Sequence, residues 1–457
     1  MEMSNRSVED VRLTPSQTQS TITLHKDTQN DEEYDPFEHR TLPHTTSTLG
    51  SFFHMLKSSL GTGTLAMPAA FHHTGIIPGC IGTAIVAFIA THCVHVLVST
   101  SRAICREVRA PFMTYTDTCE NVFKLGPKRL RPLSLHVRRF VDCAMAGMCI
   151  GGTSVYVIFI ASSLKDIVDY YAPEHKYSVQ VYCAMLTVPL ILITQIRYLK
   201  FLVPFSVFAN LCLVVTLGIT YYYTFQNLTT HPSVVLVNNL SGWPLFLSTA
   251  VFAMEGINVV MPVENEMEKP EYFLSFCGVL NVTMVFVAVL YGLTGVVGYL
   301  KYGDGVLGSV TLNLPQTEIL SMSAKVLIAV AVFFTYCLQM YAPMEIIWTR
   351  IQIKISKTYH NLGQICLRTF SVILTVVLAV VVPDLSLLIS LVGAIFFSTL
   401  GLLIPAVVQT VHKWERGLGR WNYILWKNIM LLIFYFIVLI SGCYSAITAI
   451  VEKATKS

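Results

Sequence analysis

Two apolar stretches of this chain are interrupted at matching places, and no other feature restricts its fold so tightly. Residues 46–71 are broken by Gly61-Thr62-Gly63-Thr64 and close on Met67-Pro68, and residues 244–266 are broken around Met254-Glu255-Gly256 and close on Met261-Pro262. Glycine and proline at these points release backbone N–H and C=O groups from the helical ladder. In hydrocarbon a free group is costly, so such backbone persists only where protein or cavity water meets it. Paired breaks in two halves of a chain point to a binding site near the bilayer midplane.

The setting is a membrane. The chain is 54% hydrophobic and 13% charged, against about a quarter charged in soluble domains. Its apolar runs have the length that crosses a bilayer, roughly 20 residues. They predict an all-α membrane protein with eleven transmembrane helices, at 46–72, 75–100, 139–163, 179–196, 201–224, 244–266, 273–299, 321–348, 366–383, 385–410 and 427–451.

Charge sets the orientation. One set of connecting loops carries twenty Lys and Arg, from Arg102 to Lys427. The opposite set, with the C-terminal tail, carries six. The rich set and the N-terminus are therefore expected in the cytosol, and the C-terminus outside or in a lumen, in a plasma, lysosomal or endosomal membrane. The sequons at Asn227 and Asn239 both fall in the non-cytosolic loop and are the expected glycosylation sites.

The expected organisation follows. Residues 1–45 are polar, lack an apolar period and read as a disordered cytosolic tail. Within them Tyr34-Asp35-Pro36-Phe37 reads as a solvated turn or a sorting signal. Residues 46–224 form a first repeat of five spans and residues 225–243 the glycosylated loop. A second repeat, 244–410, begins on the opposite side, so the two halves are an inverted 5+5 pair with broken helices 1 and 6. Residues 411–457 hold an interfacial anchor, span 11 and a short tail. The basic loop 102–138 reads as carrying a short helix on the membrane face.

Each break offers two kinds of backbone end. The N–H groups near Gly63, Thr64 and Leu65 can hold a carboxylate. The carbonyls near Phe252, Ala253 and Met254 can hold an ammonium. Together they suit an amino acid, while close helix packing is the alternative use of these glycines. Ionisable groups in the spans are candidates by default. His54 lies about two turns before the first break, and an imidazole takes up a proton at mildly acidic pH. Lys57 and Ser58 share its face, with Lys57 expected to snorkel toward the cytosol. Glu255 sits in the second break, to bind the ammonium, titrate or brace the backbone. Glu345 in span 8 titrates or pairs with a cytosolic base. Glu264, Glu266 and Glu268 read as solvated or gate-forming, and Tyr156 lines a pocket or packs. The candidate substrate site is thus Ser58, Gly61, Thr62, Gly63, Thr64, Tyr156, Phe252, Met254, Glu255 and Gly256, with His54, Glu255 and Glu345 for proton coupling.

No metal-binding or nucleotide-binding signature is present in the sequence, so neither ATP hydrolysis nor other enzyme chemistry is expected, nor a nucleic-acid partner. Any uphill movement must use an ion gradient, and the hydroxyls of Ser58, Thr62 and Thr64 leave sodium open beside the proton. A signalling receptor on the same fold and, less well matched to paired half-helices, a channel are the other readings.

Five ordered stretches carry a family resemblance: His54-Met55-Leu56-Lys57 leading into LGTGTLAMP, FAMEGINVVMPVENEM at 252–267, GYLKYGDGVLGSVTLNLP at 298–315, YAPMEII at 341–347 and PDLSLLISLVGAIF at 383–396. Through them the chain, from residue 46 onward, resembles the animal proton-coupled amino acid transporters of the amino acid/auxin permease family. The resemblance implies a LeuT-like fold, with spans 1, 2, 6 and 7 moving against 3, 4, 8 and 9. It implies symport of a small neutral amino acid with a proton, or an amino acid sensor with low flux. The family's coupling histidine maps onto His54, its site glycines onto Gly61 and Gly63, its span-6 pair onto Glu255 and Gly256, and its span-8 glutamate onto Glu345. Two departures stand out. Ser58 and Ser59 replace the glycine and asparagine of many members, and Gln316 and Thr317 stand where those members place the second cysteine of an outer disulfide.

Overall fold

A computed structural model describes residues 34–40, 45–174, 176–197, 199–226, 228–254 and 256–456. Among them there is no β-strand, only one isolated parallel bridge between Thr46 and Met267. Among the described residues nine helical stretches are long and apolar enough to cross a membrane, and the protein is a multi-pass membrane protein.

The first break separates α1 (Thr48–Ser59) from α2 (Thr62–Thr74). Next come α3 (Ile76–Val108), the short α4 (Tyr115–Leu125) and α5 (Ser134–Tyr171). The predicted fourth span is two short helices, α6 (Val179–Met185) and α7 (Thr187–Thr194), before α8 (Leu199–Phe225). The second break separates α9 (Trp243–Met254) from α10 (Ile257–Glu266). Then follow α11 (Val279–Tyr302), α12 (Ile319–Ile351) and α13 (His360–Val381). The predicted tenth span opens with α14 (Leu385–Val392), winds through π-helical turns over Gly393–Leu403 and ends as α15 (Ile404–Lys413). The last helix is α16 (Tyr423–Lys456).

Packing sorts these helices into two groups. In one, α11 lies against α1, α2 and α3, and α2 against α9; in the other, α12 lies against α5, α7 and α8, and α13 against α5, α6 and α7. Small residues let the first group close up. An added Cβ would stand 2.6 Å from the Phe71 ring at Gly79 and 2.4 Å at Gly295, so that ring is gripped between α3 and α11. Hydroxyls inside the spans bond back to the carbonyl four residues earlier, as Thr83 does to Gly79, Thr216 to Cys212 and Thr283 to Val279. That removes the cost of an unpaired hydroxyl without a second helix.

Three sequence expectations change in detail. Residues 36–39 form a turn, as read at residues 34–37, but the segment is held to the protein through Arg40. Arg40 there donates to the carbonyl and carboxylate of Glu264 and to the Pro111 carbonyl. The helix in loop 102–138 exists as α4, but protein covers its apolar face: Tyr115, Val122 and Phe123 are buried against α5 and α15, and the Tyr115 hydroxyl donates to the Leu400 carbonyl. Glu264, read with Glu266 and Glu268 as solvated or gate-forming, is not solvated: it is 2% exposed between Arg40 at 3.2 Å and Arg102 at 3.0 Å. The Phe37 ring lies against both guanidinium groups.

Candidate functional site

The two breaks meet at a cavity of about 330 Å³. From the first break it is lined by His54, Lys57, Ser58, Gly61, Thr62 and Gly63. From the second it is lined by Phe252, Ala253, Gly256 and Asn258. Tyr156 and Gly152 on α5, Ser206 on α8, Gln339 on α12 and Phe397 complete much of the wall.

The backbone at the first break is poised for an anion. Gly61 precedes α2 with no side-chain cap, so the N–H groups of the first turn have neither an intrahelical partner nor a capping one. They also carry the positive end of the helix dipole. Gly63 allows the breaks to touch: a Cβ there would lie 2.9 Å from Ala253 Cα, whereas a Cβ at Gly61 would meet nothing within 4 Å.

The carbonyl ends of the two breaks share a donor. The Tyr291 hydroxyl, fully buried on α11, lies within hydrogen-bond distance of the Ser59 carbonyl and, at 3.0 Å, of the Ala253 carbonyl, so its one proton is shared between them. One side chain thereby bridges both half-helix ends, and the Ala253 carbonyl keeps a second lone pair beside this contact. The hydroxyls of Ser58 and Ser59 are likewise spent as donors on the Met55 carbonyl, at 2.8 and 3.2 Å.

Of the candidate residues, the cavity brings together His54, Ser58, Gly61, Thr62, Gly63, Tyr156, Phe252 and Gly256. Thr64 is fully buried behind it, close to Tyr291. Met254 faces a separate small void of about 20 Å³. Glu345 lies off the cavity, beside Tyr341 and within electrostatic reach of Arg368. Glu255 and Asn227 fall outside the described residues, and Asn239 is exposed. Lys57 is exposed at the cavity, with Nζ 3.3 Å from Ser206 Oγ. Sequence reasoning passed over Tyr291, Asn258 and Gln339. Polarity inside a span was the available signal, but only charged groups and the hydroxyls at the first break were weighed.

Paired discontinuous helices around a midplane cavity define a class, the membrane carriers of small polar solutes. The chain belongs to the transmembrane amino acid transporter protein family, whose model matches residues 44–449. It is 40% identical over 422 residues to the proton-coupled amino acid transporter-like protein pathetic of Drosophila melanogaster, covering 92% of this chain and 88% of that one. It is 23% identical over 411 residues to the probable amino acid transporter skat-1 of Caenorhabditis elegans, covering 87% and 88%. These relatives are named as transporters, not enzymes. Among solved structures, the inward-facing conformation of Mhp1 superposes with a TM-score of 0.53 at 13% identity, over 90% of this chain and 92% of that one. That likeness speaks for the fold alone, which is LeuT-like.

Proposed function

We propose that this protein is a secondary active symporter that carries small neutral amino acids together with protons by alternating access. The observation that carries the reading is the cavity where an uncapped helix N-terminus from one break faces the backbone of the other. A zwitterion of alanine size fits such a site, carboxylate on the first turn of α2 and ammonium toward the second break. His54, on the cavity wall, takes the coupling proton, so protonation favours the loaded state. Glu255 and Glu345 are secondary candidates for that proton.

In this reading the nine apolar stretches, one of them the broken pair α9 and α10, together with α1 and α2 counted as one crossing and α6 and α7 as another, make eleven. Residues 46–224 and 244–410 are the inverted halves, and the N-terminus is cytosolic. The helices around α11 form the moving bundle and those around α12 the scaffold. The cavity reaches His54, Lys57 and Ser206, toward the Arg/Lys-rich end, which suits an inward-open state. A sensor with low flux is the second reading. It is favoured by the clasp between Arg40 of the N-terminal segment and Glu264 of α10, which links the tail to the second broken helix.

The test is uptake of labelled alanine by the full-length protein in proteoliposomes. An inward pH gradient should drive accumulation that a protonophore abolishes, at equal sodium on both sides. Binding without accumulation at every acidic external pH would overturn symport and leave the sensor.

A further inference from the structure

One wall of the cavity carries accessible polar atoms that the protein itself does not use. They are the hydroxyl of Tyr156 on α5, the carboxamide oxygen of Asn210 on α8 and the carboxamide oxygen of Gln339 on α12. Among the described residues none of the three has a hydrogen-bond partner, and none is sealed off, since each atom keeps open surface on a half-buried residue. The amide nitrogens fix which way two of them face. Asn210 Nδ2 donates to the Ser206 carbonyl one turn earlier in its own helix, which leaves Oδ1 on the open side. Gln339 Nε2 has only Cys149 Sγ, a weak acceptor, at 4.0 Å. The Thr335 hydroxyl beside them, by contrast, bonds the Ala331 carbonyl of its own helix.

At this depth a polar atom persists where cavity water or a ligand meets it. A ligand group that displaces such water without replacing its hydrogen bonds loses affinity. The transporter reading assigns both charged ends of an amino acid to the breaks, which α1, α2, α9 and α10 supply. The third substituent on its Cα must point away from them, and the wall left for it belongs mainly to α5, α8 and α12. At about 330 Å³ the cavity has the size of a ligand pocket and room for more than a methyl group.

We propose that Asn210 and Gln339, with Tyr156, form a side-chain subsite that selects amino acids with a neutral hydrogen-bonding side chain, such as serine or asparagine, over aliphatic ones of the same shape. This rests on the transporter reading above. The two carboxamide oxygens accept and the phenol donates, so a hydroxyl or carboxamide finds both roles. An isopropyl group strips the same atoms of water and returns nothing.

The test is competition against labelled alanine uptake by the full-length protein in proteoliposomes. Asparagine and leucine have nearly the same shape, one with a carboxamide where the other has an isopropyl group. One or two hydrogen bonds make asparagine inhibit at about a tenth of the leucine concentration. The double variant Asn210→Leu, Gln339→Leu should bring the two within about twofold of each other. Both competitors share the zwitterion, so a general loss of binding cancels in their ratio. Gln339→Met alone, if the double variant does not fold, should narrow the ratio to about threefold. Leucine inhibiting wild type as well as asparagine does, or a ratio untouched by the substitutions, overturns the subsite while wild-type uptake of alanine upholds the transporter reading. Failure of the wild type to bind alanine overturns that reading, and this inference with it.

Discussion

Adding one methyl group at each glycine of the first break should have opposite consequences. At Gly63 the new Cβ would stand 2.9 Å from Ala253 Cα and 3.1 Å from Ala253 Cβ. The nearest atom is backbone, so no side chain can swing aside. The half-helices must part by roughly 0.5–1 Å to restore an ordinary carbon contact near 3.5–4.0 Å. Tyr291 resists that movement because it holds both ends. Overpacking of this kind costs about 1–3 kcal/mol, against a gain of up to about 1 kcal/mol from alanine's better helix propensity. Gly63→Ala should therefore lower the thermal unfolding temperature of the detergent-solubilised protein and weaken alanine binding. Gly61 is extended, with open space where its Cβ would be. Gly61→Ala should leave unfolding unchanged and only crowd the cavity, with larger amino acids losing more affinity than glycine. Unfolding by fluorescence and uptake competition across a size series measure both. A Gly63→Ala protein as stable and active as wild type would refute the claim that the two breaks touch.

Tyr291→Phe removes one hydroxyl and leaves the Ser59 and Ala253 carbonyls without its proton. Loss of that one shared hydrogen bond between buried groups costs about 1–3 kcal/mol, so both unfolding temperature and alanine affinity should fall; no change in either would remove Tyr291 from its bridging role. Arg40→Ala strips Glu264 of one of its two buried partners, and hydrogen bonds to charged groups contribute about 1.5–3 kcal/mol. Thermal unfolding should report the loss, and an unaltered transition would mean that residues 36–40 do not clasp α10 in solution. Burial pushes the Glu120 carboxyl up, but hydrogen bonds from Lys124 and Arg138 outweigh it and hold the group below its ordinary range. A folded value below the unfolded one stabilises the protein above about pH 4.3, and that contribution is lost as pH falls through the folded value. Glu120→Gln should flatten this acid limb of unfolding temperature against pH, and an identical acid limb in the variant would contradict it.

The breaks were legible because glycine and proline inside an apolar run have a direct backbone meaning. They announce freed N–H and C=O groups whatever surrounds them. The spans were legible from length and hydropathy alone. What the freed groups meet was not. Tyr291 reads as packing in a membrane helix, and its hydroxyl acquires a role only when two distant carbonyls converge on it. Asn258 carries no charge and passed beside the conspicuous glutamates. Glu264 looked like its neighbours Glu266 and Glu268, since the arginines that bury it lie 224 and 162 residues away in sequence.

The central claim is that an amino acid lies across both breaks. The most direct measurement is an electron cryomicroscopy structure of the full-length protein with saturating alanine. The account predicts density in the cavity with the carboxylate within about 3 Å of first-turn N–H groups of α2 and the ammonium directed at α10. Alanine bound elsewhere, or with its carboxylate turned away from Gly63 and Thr64, would contradict it.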